Sequence, residues 1–347
     1  MKLPSLPEGF TVKFLGDLLQ RPLRSVGIES VGEGTGMMAD MSRLTLEFED
    51  STEPLCMIAK YSAQNPTNRE VAVSFNLYER EARYYSELDH QTDICTPEIY
   101  FVDVDGSDLL ILMEDLGDYA VGSQELGADL HQTEIAIDQL AKLHGAFWGR
   151  VDHLEWVPGI ANSFHADNMY NFCQTGWDVM ANSFDVGSQV NPFKDAFVAA
   201  LPMLQAQQNR QPRTLLHGDF RMENLLYGTE ARHEDVVVID FQGPLLGSGF
   251  VDLALFLGQS TRTSIRRDHE RNLVDRYMTG LERQHLSLDD VLDPWEAYRQ
   301  AILYNWVYAS VVAGTLDSSN EKAFAWMQQM VNRQLEVSLD LDIFSLI

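Results

Sequence analysis

Cationic side chains are scarce in this chain. Of 347 residues, 25 are Lys or Arg against 52 Asp or Glu, which leaves a formal net charge of −27. A surface that neutralises a phosphate backbone must be basic, so this balance disfavours nucleic acid as a partner. The same field repels a free nucleotide unless a metal ion and local basic groups help it in, and it favours a cationic second substrate. Cysteine is equally sparse. Cys56, Cys95 and Cys173 lie far apart with no metal-ligand spacing, which argues against a disulfide framework or a zinc site and reads as reduced thiols of a cytoplasmic protein. Nowhere do about 18 apolar residues run uninterrupted, so no membrane span is expected. The start, Met1-Lys2-Leu3-Pro4, has neither a charged n-region nor an apolar h-region, so no signal peptide is expected. Internal repeats and low-complexity tracts are missing too. What is present is the 45% hydrophobic and 10% aromatic content of a globular protein, over a length that favours two domains.

One stretch carries the chemistry. An apolar lead-in, Leu215-Leu216, runs into His217-Gly218-Asp219-Phe220-Arg221-Met222-Glu223-Asn224, and a second apolar run, Val236-Val237-Val238-Ile239, delivers Asp240. Asp219, Asn224 and Asp240 make a base plus two oxygen ligands on loops that adjacent strands bring together. Phosphoryl transfer needs such a set: one carboxylate to take the attacking hydroxyl's proton, an amide oxygen and a second carboxylate to hold Mg²⁺ on nucleotide phosphates. Protein kinases write it H-R-D-L-x-x-x-N followed by D-F-G. Here it is H-G-D-F-R-M-E-N followed by D-F-Q.

The chain upstream fits the same chemistry. Thr11 is placed to cap a helix over 12–19 that Arg21-Pro22 ends. A strand–glycine turn–strand pattern follows, with Gly32, Gly34 and Gly36 spaced G-x-G-x-G and Ser42–Phe48 alternating as a half-buried strand. Backbone N–H groups at Gly34, Thr35 and Gly36 are candidates to close over phosphates. Leu55-Cys56-Met57-Ile58-Ala59-Lys60 is an apolar strand ending in a lysine. Thr67 and Glu70 predict a capping box for one helix carrying Val71, Phe75, Tyr78, Ala82 and Tyr85 as its apolar stripe. Glu81 flanks that stripe and is the expected partner of Lys60; Glu79 falls on the wetter face. Strands are expected at 97–103 and 109–113 around an Asp105-Gly106 turn. Glu114-Asp115-Leu116-Gly117 then reads as a hinge whose main chain, at Glu114 and Leu116, faces an adenine edge.

Further on, a helix over 133–148 places His144 inside an apolar stripe, as a satisfied core histidine. Residues 150–212 are mixed, with a helix expected at 193–207. Asp252 opens a helix and is read as structural support for the catalytic loop. Arg262, Arg266, Arg267, Arg271 and Arg276 predict a solvated helix face, with contact to an acidic substrate as the rival. A helix over 295–312 lines up Trp306 with Tyr304 and Tyr308, as core or as a cage for a cation. Ser318 with Glu321 caps the last helix.

In this order the chain carries the glycine hairpin at 32–36, Lys60, Glu81 in E-x-x-Y-Y, M-E-D-L at 113–116, L-A-K-L-H at 140–144, HGDFRMEN at 217–224, IDFQ at 239–242 and D-L-A at 252–254. The series resembles the aminoglycoside phosphotransferase and choline kinase superfamily and, within it, the ecdysteroid-kinase-like branch, over residues 28–257. The resemblance implies an α+β, bilobal protein-kinase-like fold: an antiparallel five-stranded N-lobe (1–113), a hinge (114–118) and a mostly helical C-lobe (119–347), with ATP and Mg²⁺ in the cleft. It implies Asp219 as catalytic base, Asn224 and Asp240 as metal ligands, Lys60 on the phosphates and Glu81 as its partner. Gly218 replaces the arginine that in protein kinases answers a phosphorylated loop, and the run from Asp240 to Asp252 is too short for such a loop. The glycine spacing and Gln242 depart from the protein-kinase pattern. The expected protein is a cytoplasmic monomer or homodimer that phosphorylates a hydroxyl of a small molecule; the alternative is a nucleotide-binding pseudokinase with a scaffolding role. Steroid-like alcohols, choline-like amines, antibiotics and hydroxylated acids all remain open as acceptors.

Overall fold

The computed structural model describes residues 2–31, 38–188, 190–210, 212–291, 293–315 and 321–347. The chain divides into two compact units. The first comprises Met1–Gln91, Thr96–Asp118 and Ile239–Gly243; the second holds Thr92–Cys95, Tyr119–Val238 and Pro244–Ile347.

The first unit opens with α1 (Val12–Leu19), whose N-cap Thr11 accepts from Phe14 N, followed by β1 (Leu23–Val31), β2 (Ala39–Phe48) and β3 (Leu55–Ser62). After α2 (Pro66–Ser74) and α3 (Leu77–Arg83), β4 (Ile99–Asp105) and β5 (Asp108–Glu114) complete a five-stranded antiparallel sheet in the order β1-β2-β3-β5-β4. The period of β2 decides its faces: Leu44, Leu46 and Phe48 are buried and join Phe10, Leu15, Met57, Ala59, Tyr61, Leu110 and Leu112 in one core. Lys60 lies between Ala59 and Tyr61, so alternation turns it to the sheet's other face.

Two helix expectations are corrected in this unit. The cap is Asn65, not a Thr67–Glu70 box: its Oδ1 accepts from Thr67 N at 2.9 Å and Asn68 N at 3.2 Å, and Pro66 takes the first helical position. Proline there lacks only an N–H that would have been unpaired anyway. The single helix is also broken. Asn76 adopts φ 53°, a left-handed conformation that asparagine tolerates, and α3 restarts from it before a π turn at Tyr84–Leu88. The break divides the stripe: Tyr78, Ala82 and Tyr85 are buried, Val71 and Phe75 only half so.

The second unit is mostly helical. Its short strands are β6 (Ala120–Val121), β7 (Thr214–Leu216), β8 (Leu225–Tyr227), β9 (Val236–Val238) and β10 (Leu245–Gly247), paired as β6-β8-β9 and β10-β7. Its helices are α4 (Leu130–Phe147), α5 (Ser163–Ser183), α6 (Val190–Gln208), α7 (Phe250–Leu255), α8 (Thr263–Glu282), α9 (Pro294–Tyr304), α10 (Trp306–Thr315) and α11 (Glu321–Asp340). α4 starts earlier than Thr133 because Asp129 and Gln132 form a full capping box. Polar residues hid α5 inside the unplaced stretch, although Asn162 caps it by accepting from Phe164 N and His165 N. The helix expected over 295–312 is two helices joined at Asn305, whose Nδ2 donates to Val251 O at 3.1 Å. Ser318, the expected cap of the last helix, lies outside the described residues.

α5 and α10 approach through glycine. A Cβ on Gly176 would lie 2.6 Å from Ser310 O, and one on Gly314 2.3 Å from Gly176 Cα. The arginines on and beside α8 form a largely solvated face, as expected: Arg262, Arg267 and Arg271 are exposed, Arg276 is half-buried, and Arg266 alone of the five is buried. Arg262 donates to Gly127 O, Arg266 is buried against Glu270 and Asp340, Arg267 binds Asp340, Arg271 lies over Trp295, and Arg276 binds Asp138. These contacts tie α8 to its neighbours. Among the described residues no helix is long and apolar enough to cross a membrane.

Candidate active site

In the first unit, Lys60 Nζ lies 2.7 Å from Glu81 Oε1 and 2.7 Å from Asp240 Oδ1. β3 supplies the lysine and α3 the glutamate, and both are buried, at 7% and 1% exposed. Glu79 is 57% exposed and faces Arg83 instead. Burial works against the charge on Lys60, but Asp240 and Glu81 outweigh it and hold its pKa above the ordinary range. Burial pushes the Glu81 carboxyl up to about 7; Lys60 pulls against this and the like charge of Asp240 adds to it. One ammonium therefore serves two carboxylates. Glu81 Oε2 has no partner among the described residues.

Asp240 has φ 70°, a left-handed conformation that a non-glycine residue holds only when its surroundings enforce it. Phe241 supplies the enforcement: it is fully buried and stacks on Tyr84 with ring centres 3.7 Å apart. Gln242 Nε2 donates to Asp240 Oδ2 at 3.3 Å, so the residue that replaces the glycine of D-F-G grips the aspartate.

At the end of β5 the expectation needs narrowing. Glu114 N–H donates to Glu98 O at 2.9 Å, so it is committed to the protein and is not a donor for an adenine edge. Asp115 binds Arg43 at 2.6 Å and accepts from Gly117 N at 3.0 Å, which fixes the loop around the buried Leu116. Gly34, Thr35 and Gly36 lie outside the described residues.

In the second unit, the loop after β7 is braced from beneath. Gly218 has φ 81°, a left-handed conformation that glycine adopts without strain. Asp252, fully buried on α7, accepts from His217 N at 2.7 Å and from Gly218 N at 3.2 Å. Its Oδ2 also lies 3.3 Å from Nε2 of His144, whose Nδ1 is 2.8 Å from the Tyr277 hydroxyl. His144 is thus a satisfied core histidine, tied to the loop through one carboxylate.

Asp219 sits at the loop's tip, held by its own loop and by a distant helix. Asn224 Nδ2 donates to Asp219 O at 2.8 Å and to Oδ2 at 3.1 Å, and Arg221 Nε reaches Oδ2 at 3.4 Å. Arg221 is itself held by Glu223 at 2.8 Å and lies over the Trp326 ring at 5.0 Å. The Tyr308 hydroxyl donates to Asp219 Oδ1. Of the two readings open for Trp306, Tyr304 and Tyr308, core or cation cage, the first holds for Trp306 and Tyr304. Trp306 is fully buried, donates to Ser338 Oγ at 3.0 Å and packs on Trp177, while Tyr304 is 6% exposed. Tyr308 lies 89 residues from Asp219, a pairing that no local pattern announces.

The donor types suit a hard cation. In the second unit Asn224 gives its amide nitrogen to Asp219, and an amide also carries a hard oxygen donor; in the first unit the Asp240 carboxylate shares Lys60 with Glu81. Among the described residues no group of three or more His, Cys, Asp or Glu forms a metal cage. Mg²⁺ is commonly held by one or two protein oxygens, completed by phosphates and water.

The model of the ecdysteroid kinase-like family matches residues 33–289. With the five-stranded sheet, the helical remainder and these motifs in place, the chain belongs to that family. Aminoglycoside phosphotransferase APH(2'')-Ib, solved with ADP bound, shares the fold: TM-score 0.51 and 15% identity over 92% of this chain and 97% of that one. A microcompartment-associated aminopropanol kinase aligns over 95% of this chain and 98% of its own, with 13% identity and a TM-score of 0.43. No curated protein sequence matches significantly.

Proposed function

We propose that the protein transfers the γ-phosphoryl group of ATP, with Mg²⁺, to a hydroxyl of a small molecule. The observation that carries this reading is Lys60 held between Glu81 and Asp240 in a chain of the ecdysteroid kinase-like family. A buried lysine fixed by a helix glutamate is placed to neutralise phosphates, and the second carboxylate gives it a partner to exchange for them. Asn224 and Asp240 would hold the metal ion, which supplies charge neutralisation on the phosphates when bound. Asp219 would accept the acceptor's proton as its oxygen bonds to the γ-phosphorus and the bond to the ADP oxygen breaks. Leu116 and the Glu114 carbonyl remain the hinge groups for the adenine edge, and Gly34, Thr35 and Gly36 the candidates for phosphate contact. Catalysis on this reading is positioning and charge neutralisation, with little covalent chemistry for the protein to do.

A metabolite extract incubated with ATP and Mg²⁺, read by mass spectrometry for added phosphate, finds the acceptor. Asp219→Asn then slows turnover by about 10²–10⁴-fold, the usual share of a general base, and Asp240→Asn slows turnover and also weakens Mg²⁺-nucleotide binding. Asparagine is the better probe at 240 because it tolerates the left-handed backbone. Full turnover in Asp240→Asn sinks the assignment. Tight Mg²⁺·ATP binding without turnover across a broad alcohol panel makes the protein a nucleotide-binding pseudokinase instead.

A further inference from the structure

We propose that Tyr308 is a positioning residue for Asp219, and that the α5–α10 pair exists in part to hold it there. The proposal rests on the phosphotransfer reading above. A carboxylate on a short side chain turns about two bonds. Asn224 holds Oδ2, and Arg221 Nε lies 3.4 Å from Oδ2 and 3.3 Å from Oδ1; both residues belong to the loop that carries Asp219 itself, so they move with it. Tyr308 holds Oδ1 from another element. Two anchors on different oxygens and different elements fix the plane of the group, which one anchor leaves free to rotate. Tyr308 takes one of the two lone pairs of Oδ1, so the proton of an acceptor hydroxyl still has a seat on that oxygen.

Tyr308 suits this role chemically. Burial first, then the charge of Asp219, holds the phenol's pKa well above its usual range, so it stays a neutral donor. The helix beneath it is fixed at both ends. Asn305 ties the start of α10 to Val251 O, and the Gly176–Gly314 approach seats its far end on α5, where Ser310 Oγ meets Cys173 Sγ at 3.2 Å. The stretch the sequence left unplaced thus supplies the platform for the tyrosine.

The test measures labelled phosphate released from Mg²⁺·ATP, with water as the acceptor, for five proteins: wild type, Tyr308→Phe, Asp219→Asn, the double variant and Tyr304→Phe. Loss of a hydrogen bond to a charged group predicts about a tenfold lower kcat for Tyr308→Phe, with the KM for ATP unchanged. The double variant is no slower than Asp219→Asn, because the hydroxyl acts only through that carboxylate. Tyr304→Phe, which removes a core hydroxyl one turn earlier, matches wild type. Wild-type kcat in Tyr308→Phe, or the same fold loss with and without Asp219, overturns the proposal. Wild-type release that ignores Mg²⁺ sinks the phosphotransfer reading itself, and the proposal with it.

Discussion

Asp252→Ala removes the brace under the loop, and the structure gives the size of the effect. Asp252 is fully buried and faces His217 N, Gly218 N and His144 Nε2 at 2.7, 3.2 and 3.3 Å. Orphaning a buried donor costs about 1–3 kcal/mol, so three of them cost roughly 3–9 kcal/mol in the limit. Two effects work the other way. The carboxylate's own desolvation is relieved, and a water entering the vacated space pairs with some of the donors. A net loss of about 3–4 kcal/mol is expected. Asp252→Asn keeps one acceptor oxygen and loses about half as much. Urea unfolding followed by tryptophan fluorescence measures this cleanly, because all six tryptophans belong to the second unit. The midpoint should fall at an unchanged slope. An Asp252→Ala protein within about 1 kcal/mol of wild type refutes the brace, since that is the net worth of one ordinary hydrogen bond.

The other perturbations act on packing, charge and thiol reactivity. Gly176→Ala drives a methyl toward Ser310 O and destabilises by about 1–3 kcal/mol in the same unfolding assay, with kcat falling as α10 shifts. Arg266→Met leaves Glu270 buried with only the Tyr298 hydroxyl beside it, a loss of about 3–5 kcal/mol at neutral pH. Burial already holds the Glu270 carboxyl above its usual range, and Arg266 is the group that pulls it back. Without Arg266 the folded state keeps a proton that the unfolded chain gives up. Stability then rises as pH falls below neutral, and urea melts at two pH values should show the deficit shrinking. Cys173, buried with its thiol pushed up to about 11, should resist a thiol reagent at pH 8 until unfolding, whereas exposed Cys56 reacts at once.

The parts of the molecule legible from sequence are those fixed by local pattern. Alternation located β2, an apolar run ending in lysine located β3, and motif order singled out Lys60, Glu81 and Asp240, which the fold gathers within the first unit. Legibility ended where tertiary contacts chose between local options. Asn65-Pro66 outbid Thr67 as a cap because proline fixed the first helical position. Asn76 and Asn305 broke helices that periodicity ran straight through, and in each case a polar side chain or a tolerated backbone conformation took over from propensity. α5 carries polar residues along most of its faces, so its period was faint. Tyr308 had no signal at all, since its partner is nearly a hundred positions away. In the basic run of α8 only Arg266 departs from the solvated face, and its partner Asp340 on α11, 74 residues away, had no local signal either.

Those arginine clamps bear on how fast ligands arrive. Arg43, Arg266, Arg267 and Arg276 each spend their charge on a carboxylate at contact distance, so the excess of acidic groups meets the solvent largely uncompensated. An approaching anion meets that field only once it comes within about 8–10 Å, the screening length near physiological salt, and is repelled from there on. Association of any polyanion with this protein should therefore quicken as salt is added, the reverse of ordinary electrostatic steering, while a cation's arrival should slow. Counter-ions become, in effect, a control on traffic into the molecule.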